Sequence, residues 1–270
     1  MYSKSIGELL EFERNRKGIT QEKVCEGLCN VSTYNRYERD EILPDKFILD
    51  CLLERMGRNP DTINYLMNVS EIYIRELRRD IVNELDNKEN IDSLIKQYSK
   101  VNVHRHANLH RQFIKYAQGK YAEIDGKKEN ALRLYVDALK ETRVDDWRND
   151  GIYSRMELNL IFFISKLEHD YDTIFEMQKF LLRRENDDVL KRNLYGEVVL
   201  WLVRNIDIDA ISKFKMIEQA IDYKKKIIQY NGIRELIDEK ASLGIPLEKN
   251  EYLIKDIDKV LMEVQDLLNG

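Results

Sequence analysis

Apolar positions recur every three to four residues along most of the chain, a spacing that predicts helix after helix. Ile6, Leu9 and Leu10 share a face with Glu13, so a first helix runs from a Ser5 cap to about Lys17, and Gly18 ends it. Thr20 caps a second helix that turns Val24, Cys25 and Leu28 inward, with Glu22 and Lys23 on its exposed first turn. Cys29-Asn30 makes a corner, and a third helix follows over Val31 to Glu38, its Tyr34 and Tyr37 three apart on one face. Pro44 suits the start of a fourth helix, Asp45 to Met56, striped by Phe47, Ile48, Cys51 and Leu52. Gly57 stops it, and Asn59-Pro60-Asp61 opens a short helix through Leu66.

From Val69 the pattern changes to long helices in pairs. The periodicity predicts Glu71 to Leu85 with Ile91 to Tyr98, Val103 to Ile124 with Glu129 to Glu141, and Gly151 to Glu168 with Thr173 to Arg184. Leu190 to Arg204 then pairs with Asp209 to Tyr230, and Gly232 to Ser242 with Leu247 to Leu268. A break every 35 to 45 residues or so is the mark of a helical solenoid. In the second pair Gly119, Gly126, Ala131, Tyr135 and Ala138 sit at tetratricopeptide-repeat spacing. Small residues there let two helices approach while an aromatic fills the gap to the next repeat. The reading is therefore all-α: a helix-turn-helix domain over 1–66, then a tetratricopeptide-like array of about five helix pairs over 69–268. An ordinary helical bundle is the alternative for the second part.

Composition narrows the class. With 270 residues, 43% hydrophobic and 34% charged, the chain can form one small domain and one larger one, and it is far from disorder. The longest apolar run, Leu158 to Ile164 broken by Asn159, is too short to span a bilayer, and Met1 to Lys17 lacks the apolar core of a cleavable signal. Three cysteines, Cys25, Cys29 and Cys51, are odd in number and clustered, which argues for a reducing cytoplasm and for core roles rather than a zinc site. A net charge of −5 confines any DNA contact to a local patch.

The runs GITQEKVCEGL and STYNRYE resemble the Xre/Cro-type helix-turn-helix, in which threonine-glutamine opens the second helix. In that family the third helix carries a serine/threonine pair, an arginine and a buried glutamate near its end. The resemblance covers about residues 5 to 57, and the tight CEGLC-x-x-STxxR form is similar to the peptide-responsive regulators of the Rgg/PlcR (RRNPP) type. Two residues depart from the pattern: Arg39-Asp40 replaces asparagine-glycine after the glutamate, and Tyr37 replaces an aliphatic. Residues 1–66 carry ten Lys/Arg against twelve Asp/Glu.

The resemblance implies a DNA-reading third helix. Ser32, Thr33, Asn35 and Arg36 are the candidates for the groove, Gln21 braces against a phosphate, and Arg39 and Lys46 neutralise phosphates. Arginine offers a bidentate donor to guanine and asparagine pairs with adenine, so the residue types suit base reading. A helical subdomain used only for protein contacts is the competing reading.

Carrying the repeat register forward puts Tyr116, Lys120, Asn159 and Phe163 on the concave side of the array, with Asn193 following and Arg192 beside it. A side-chain amide can hold both N–H and C=O of an extended peptide, and in the resembling family concave asparagines clamp a short signalling peptide. His106 and His110 are four apart near His104, a spacing open to metal but without interleaved Cys, Asp or Glu, so they read as surface or inter-repeat histidines. Asp145-Asp146 and Asp187-Asp188 look like solvated turns and caps. Glycine-rich phosphate loops, GxSxG and HExxH are absent.

Together these features lead to the expectation of a cytoplasmic, non-enzymatic, cofactor-free transcription regulator with no membrane segment. It would bind a double-stranded DNA operator as a homodimer, since one recognition helix reads too few base pairs, and a short peptide would shift its conformational equilibrium. The alternative is an interaction scaffold whose degenerate helix-turn-helix sequesters a protein partner, as the acidic balance of residues 1–66 suggests.

Overall fold

The computed structural model describes residues 5–87, 91–101, 107–143, 151–227, 229 and 232–244. The protein is all-α, and no strand occurs among the described residues. Between His169 and Asp170 it divides into two compact units.

The first unit begins with four short helices: α1 (Ile6–Arg16), α2 (Gln21–Cys25), α3 (Val31–Glu38) and α4 (Lys46–Arg55). Side-chain caps fix three of the four starts, Ser5 and Thr20 as expected and Asp45 in addition. Ser5 accepts from the Glu8 N–H, Thr20 from Lys23 and Asp45 from Ile48, each satisfying a donor that the helix leaves free. Leu10, Val24, Tyr34, Ile48, Leu49, Leu52, Leu53 and Met56 are all fully enclosed between these helices.

Two local expectations need correction. α2 ends at Cys25, not at the Cys29-Asn30 corner, because Glu26 leaves the helical region (ψ 126°) and Gly27 takes φ +67°. The short helix through Leu66 is one 3-10 turn, Pro60–Thr62, capped by Asn59. Ile63 already returns to extended backbone, and the segment is tied down instead by the Tyr65 hydroxyl on the Pro44 carbonyl, 2.8 Å.

The same unit continues with α5 (Val69–Asn87), α6 (Ile91–Lys100), α7 (Ala107–Ile124), α8 (Lys128–Leu139) and α9 (Arg155–Glu168). α7, α8 and α9 pack in succession, and α4 also touches α9. A Cβ at Gly119 would stand 2.6 Å from the Tyr135 ring, so glycine is what lets α8 lie close on α7. α9 is apolar nearly all round, with Leu158, Leu160, Ile161, Phe162, Phe163 and Ile164 buried, as a helix must be when it is enclosed on several sides. The second unit contains α10 (Tyr171–Arg183), α11 (Val189–Asn205), α12 (Ala210–Lys226) and α13 (Ile233–Ser242). Successive helices pack together there, and α13 also meets α11. The expected helix Leu247 to Leu268, the start of the second pair at Val103, His104, His106 and Asp145-Asp146 lie outside the described residues.

The α4–α9 contact carries a buried carboxylate. Glu54 accepts the Arg155 backbone N–H at 2.9 Å, and its Oε1 lies 3.3 Å from Arg155 Nε. Burial, offset in part by Arg155 and reinforced by Asp50 and Glu157, pushes the carboxyl up to about 7. A carboxyl raised on folding favours the protonated native state. Its contribution is full below the unfolded value of about 4.3, and it is lost as pH rises through about 7. Stability to urea is therefore expected to fall between pH 5 and pH 8 by up to roughly 3 kcal/mol from this group. Glu54→Gln should flatten that part of the profile; a variant profile parallel to wild type would exonerate Glu54.

Candidate nucleic-acid interface and ligand-binding face

α3 is sorted sharply by exposure. Tyr34, Tyr37 and Glu38 point inward, Thr33 and Asn35 are half-buried, and Ser32, Arg36 and Arg39 are exposed. The inward glutamate is the organising group. Arg14 grips it with two hydrogen bonds, Nε to Oε1 at 2.6 Å and Nη2 to Oε2 at 3.0 Å, and also donates to the Ile19 carbonyl at 3.1 Å. Gln21 Nε2 donates to the same carboxylate at 2.5 Å, and Asn35 Nδ2 reaches Gln21 Oε1 at 3.5 Å. The hydrogen bond to Glu38 raises the Arg14 pKa, so the cation is firmly held. α1, the start of α2 and the middle of α3 are thereby pinned by one carboxylate. A planar bidentate pair of this kind fixes geometry as well as charge.

Asp40 accounts for one departure from the family pattern. It takes φ +55°, the left-handed conformation that glycine would supply. Its carboxylate then accepts from Ser5 Oγ (2.5 Å) and the Gly7 N–H (2.9 Å), binding the N-terminus of α1.

The candidate phosphate contacts differ in availability. Arg36 Nε lies 3.4 Å from Glu41 and Arg39 Nη1 3.8 Å from the same residue, all exposed. Such pairs are worth at most about 1 kcal/mol and separate readily. Lys46 is instead buried, its ammonium 2.5 Å from Asp50 and its backbone N–H on Glu71 at 3.0 Å.

The candidate peptide residues fall into two groups. Tyr116 and Lys120 of α7 meet Phe163 of α9: the two rings stack at 6.2 Å between centroids, and Lys120 Nζ stands 3.9 Å over the Phe163 ring. Asn159, one turn before Phe163 on α9, is half-buried and has no hydrogen-bond partner among the described residues. Tyr135, read from sequence as the aromatic between repeats, lies 5.4 Å from Phe163, and sequence reasoning missed Lys166, whose ammonium lies 5.6 Å from that ring. The spacing of Lys166, three after Phe163, was the available signal. Arg192 and Asn193 belong to the second unit. Both are exposed, and the Asn193 amide donates to the Val189 carbonyl of its own helix at 2.7 Å.

His110 is buried between helices. Its Nδ1 lies 2.6 Å from the Tyr98 hydroxyl and 3.3 Å from Arg78, and its ring meets Phe47 edge-on. Cys25, Cys29 and Cys51 are free thiols, and burial pushes Cys51 well up. Among the described residues no cluster of three or more His, Cys, Asp or Glu is placed to hold a metal, and no helix is long and apolar enough to cross a membrane.

No family model matches the chain, and no curated protein matches it. Among solved structures it is similar to Bacillus thuringiensis PlcR, in a crystal structure of that protein in complex with the peptide PapR7 and DNA. The two are 13% identical, with a TM-score of 0.49, over 99% of this chain and 98% of that one.

Proposed function

We propose that the chain regulates transcription. Residues 1–66 bind double-stranded operator DNA through the helix-turn-helix α2–α3, as half of a homodimer in the cytoplasm. Residues 69–268 form a tetratricopeptide-like array whose concave side holds a short signalling peptide. The observation that carries the DNA reading is the sorting of α3. Its inner face is locked by Arg14, Gln21 and Glu38, while Ser32 and Arg36 stand free of the core with Thr33 and Asn35 beside them. A rigid helix presenting hydroxyl, amide and guanidinium groups is what a major groove reads. Support for the peptide reading is the half-exposed Asn159 amide, one turn from Phe163 in the Tyr116–Lys120–Phe163 cluster.

A gel shift with the DNA upstream of the gene tests the first part. Arg36→Ala is expected to weaken specific binding by about 10- to 100-fold, the worth of one bidentate base contact, with an unchanged helical circular-dichroism signal. Undiminished binding would take Arg36 off the reading face. Asn159→Ala should blunt the response to synthetic peptides encoded beside the gene while DNA binding without peptide stays intact. A response equal to wild type would count against this face as the peptide site.

The second reading, a scaffold that sequesters a protein partner, draws on Glu41, which counters both Arg36 and Arg39, and on the pairing of Lys46 with Asp50. No shift at low salt, with or without peptide, would select it.

A further inference from the structure

The corner between α2 and α3 is not completed by its own neighbourhood in sequence. Arg55, at the end of α4 and fully enclosed, donates through Nη1 to the Val24 carbonyl (2.9 Å) and the Glu26 carbonyl (2.7 Å), the acceptors that α2 leaves free. The other side of the same guanidinium is held by Glu157 of α9, Nη2 to Oε1 at 2.5 Å and Nε to Oε2 at 3.3 Å, across 102 residues of sequence. Arg143, just after α8, stands 3.5 Å from Glu157 and 3.8 Å from the Glu26 carboxylate, so the ion pairs run in a chain from Arg55 through Glu157 and Arg143 to Glu26.

Two further contacts close on the same corner. Asn108 at the start of α7 donates to the Gly27 carbonyl. Gly27 lies so close to the Thr142 carbonyl that a Cβ there would overlap it. Burial alone would raise the Glu157 pKa, but Arg55 and Arg143 outweigh it and hold the carboxyl at about 2, so Glu157 stays ionised.

Glu157 is fixed in turn at the first turn of α9, where it closes a capping box with Ser154. Two residues further along the same helix is Asn159, and one turn beyond that Phe163. One rigid element therefore carries the counter-ion of the α2–α3 corner and the ligand-facing amide.

We propose that Glu157 is a positioning residue for the recognition helix. Acting through Arg55, it sets the corner from which α3 departs, and α9 transmits occupancy at Asn159 to that corner. The regulatory half of this proposal rests on the DNA and peptide reading above; the positioning half does not.

The test uses the full chain and Glu157→Gln, with two readouts. Hydrogen exchange followed by mass spectrometry is expected to accelerate by about tenfold or more at the amides of residues 26–33, with α1 and the second unit unchanged. The affinity ratio between the upstream duplex and a scrambled duplex should fall about tenfold, while affinity for the scrambled duplex stays within about twofold, because phosphate attraction does not need an oriented helix. A general loss of structure would lower both affinities together and would overturn the positioning role. Exchange at 26–33 equal to wild type would also overturn it. If wild type binds neither duplex, the DNA reading fails and the exchange pattern alone decides. If Glu157→Gln does not fold, the pair Arg55→Met with Glu157→Met, which removes both partners of the buried pair and leaves Arg143 facing Glu26, is read in the same two ways.

Discussion

Replacing Arg55 with alanine is expected to cost about 3–5 kcal/mol of stability, the typical effect of removing one partner from a buried ion pair. The loss has two parts. Glu157 keeps only Arg143 at 3.5 Å as a counter-charge in a site without water access, and the Val24 and Glu26 carbonyls lose their donor. Urea unfolding followed by far-ultraviolet circular dichroism measures it. A loss below about 1 kcal/mol would mean that water or a rearranged Arg143 replaces the guanidinium at little cost. Exchanging both partners for methionine should be far milder, since well-packed apolar pairs often match the buried ion pairs they replace.

Gly27→Ala is the second large effect, and Gly18→Ala is its internal control. Both glycines lie in the left-handed region, φ +67° and +65°, so each substitution carries the same conformational penalty of about 1–2 kcal/mol. They differ in surroundings. A Cβ at Gly18 meets nothing within 4 Å, whereas at Gly27 it overlaps the backbone carbonyl of Thr142, which cannot swing aside like a side chain. Overpacking of that kind adds about 1–3 kcal/mol, giving roughly 2–5 kcal/mol in total for Gly27→Ala. Equal costs at the two positions would mean that the corner and Thr142 do not press on each other.

How much could be read beforehand follows from the range of each interaction. Helix order and most boundaries came through because amphipathic period and caps are local: Ser5, Thr20 and Asp45 each bond a backbone N–H three residues on. The Gly119–Tyr135 approach was legible for the same reason, being one repeat long. The early end of α2 was not, because Glu26 and Gly27 are drawn out of the helix by Arg55, Asn108 and Thr142, all distant in sequence. Ser154 and Glu157 advertise a capping box by their spacing, but nothing local says where the rest of the carboxylate goes. For the same reason Lys46 reads as a spare cation in sequence and is found beneath the surface on Asp50. Asn193, read as a peptide clamp, spends its amide on the Val189 carbonyl.

The run of ion pairs through Arg55, Glu157, Arg143 and Glu26 bears on how such a protein can be rearranged in evolution. A head piece ending near Leu66 looks exchangeable, yet it carries Arg55 without Glu157, and transplanted onto another helical body it would bring a naked guanidinium into the seam. Recombination between relatives should therefore succeed with breakpoints after α9 and fail between α4 and α9. The arginine near the end of α4 and the glutamate at the start of α9 should be inherited, or lost, as a couple.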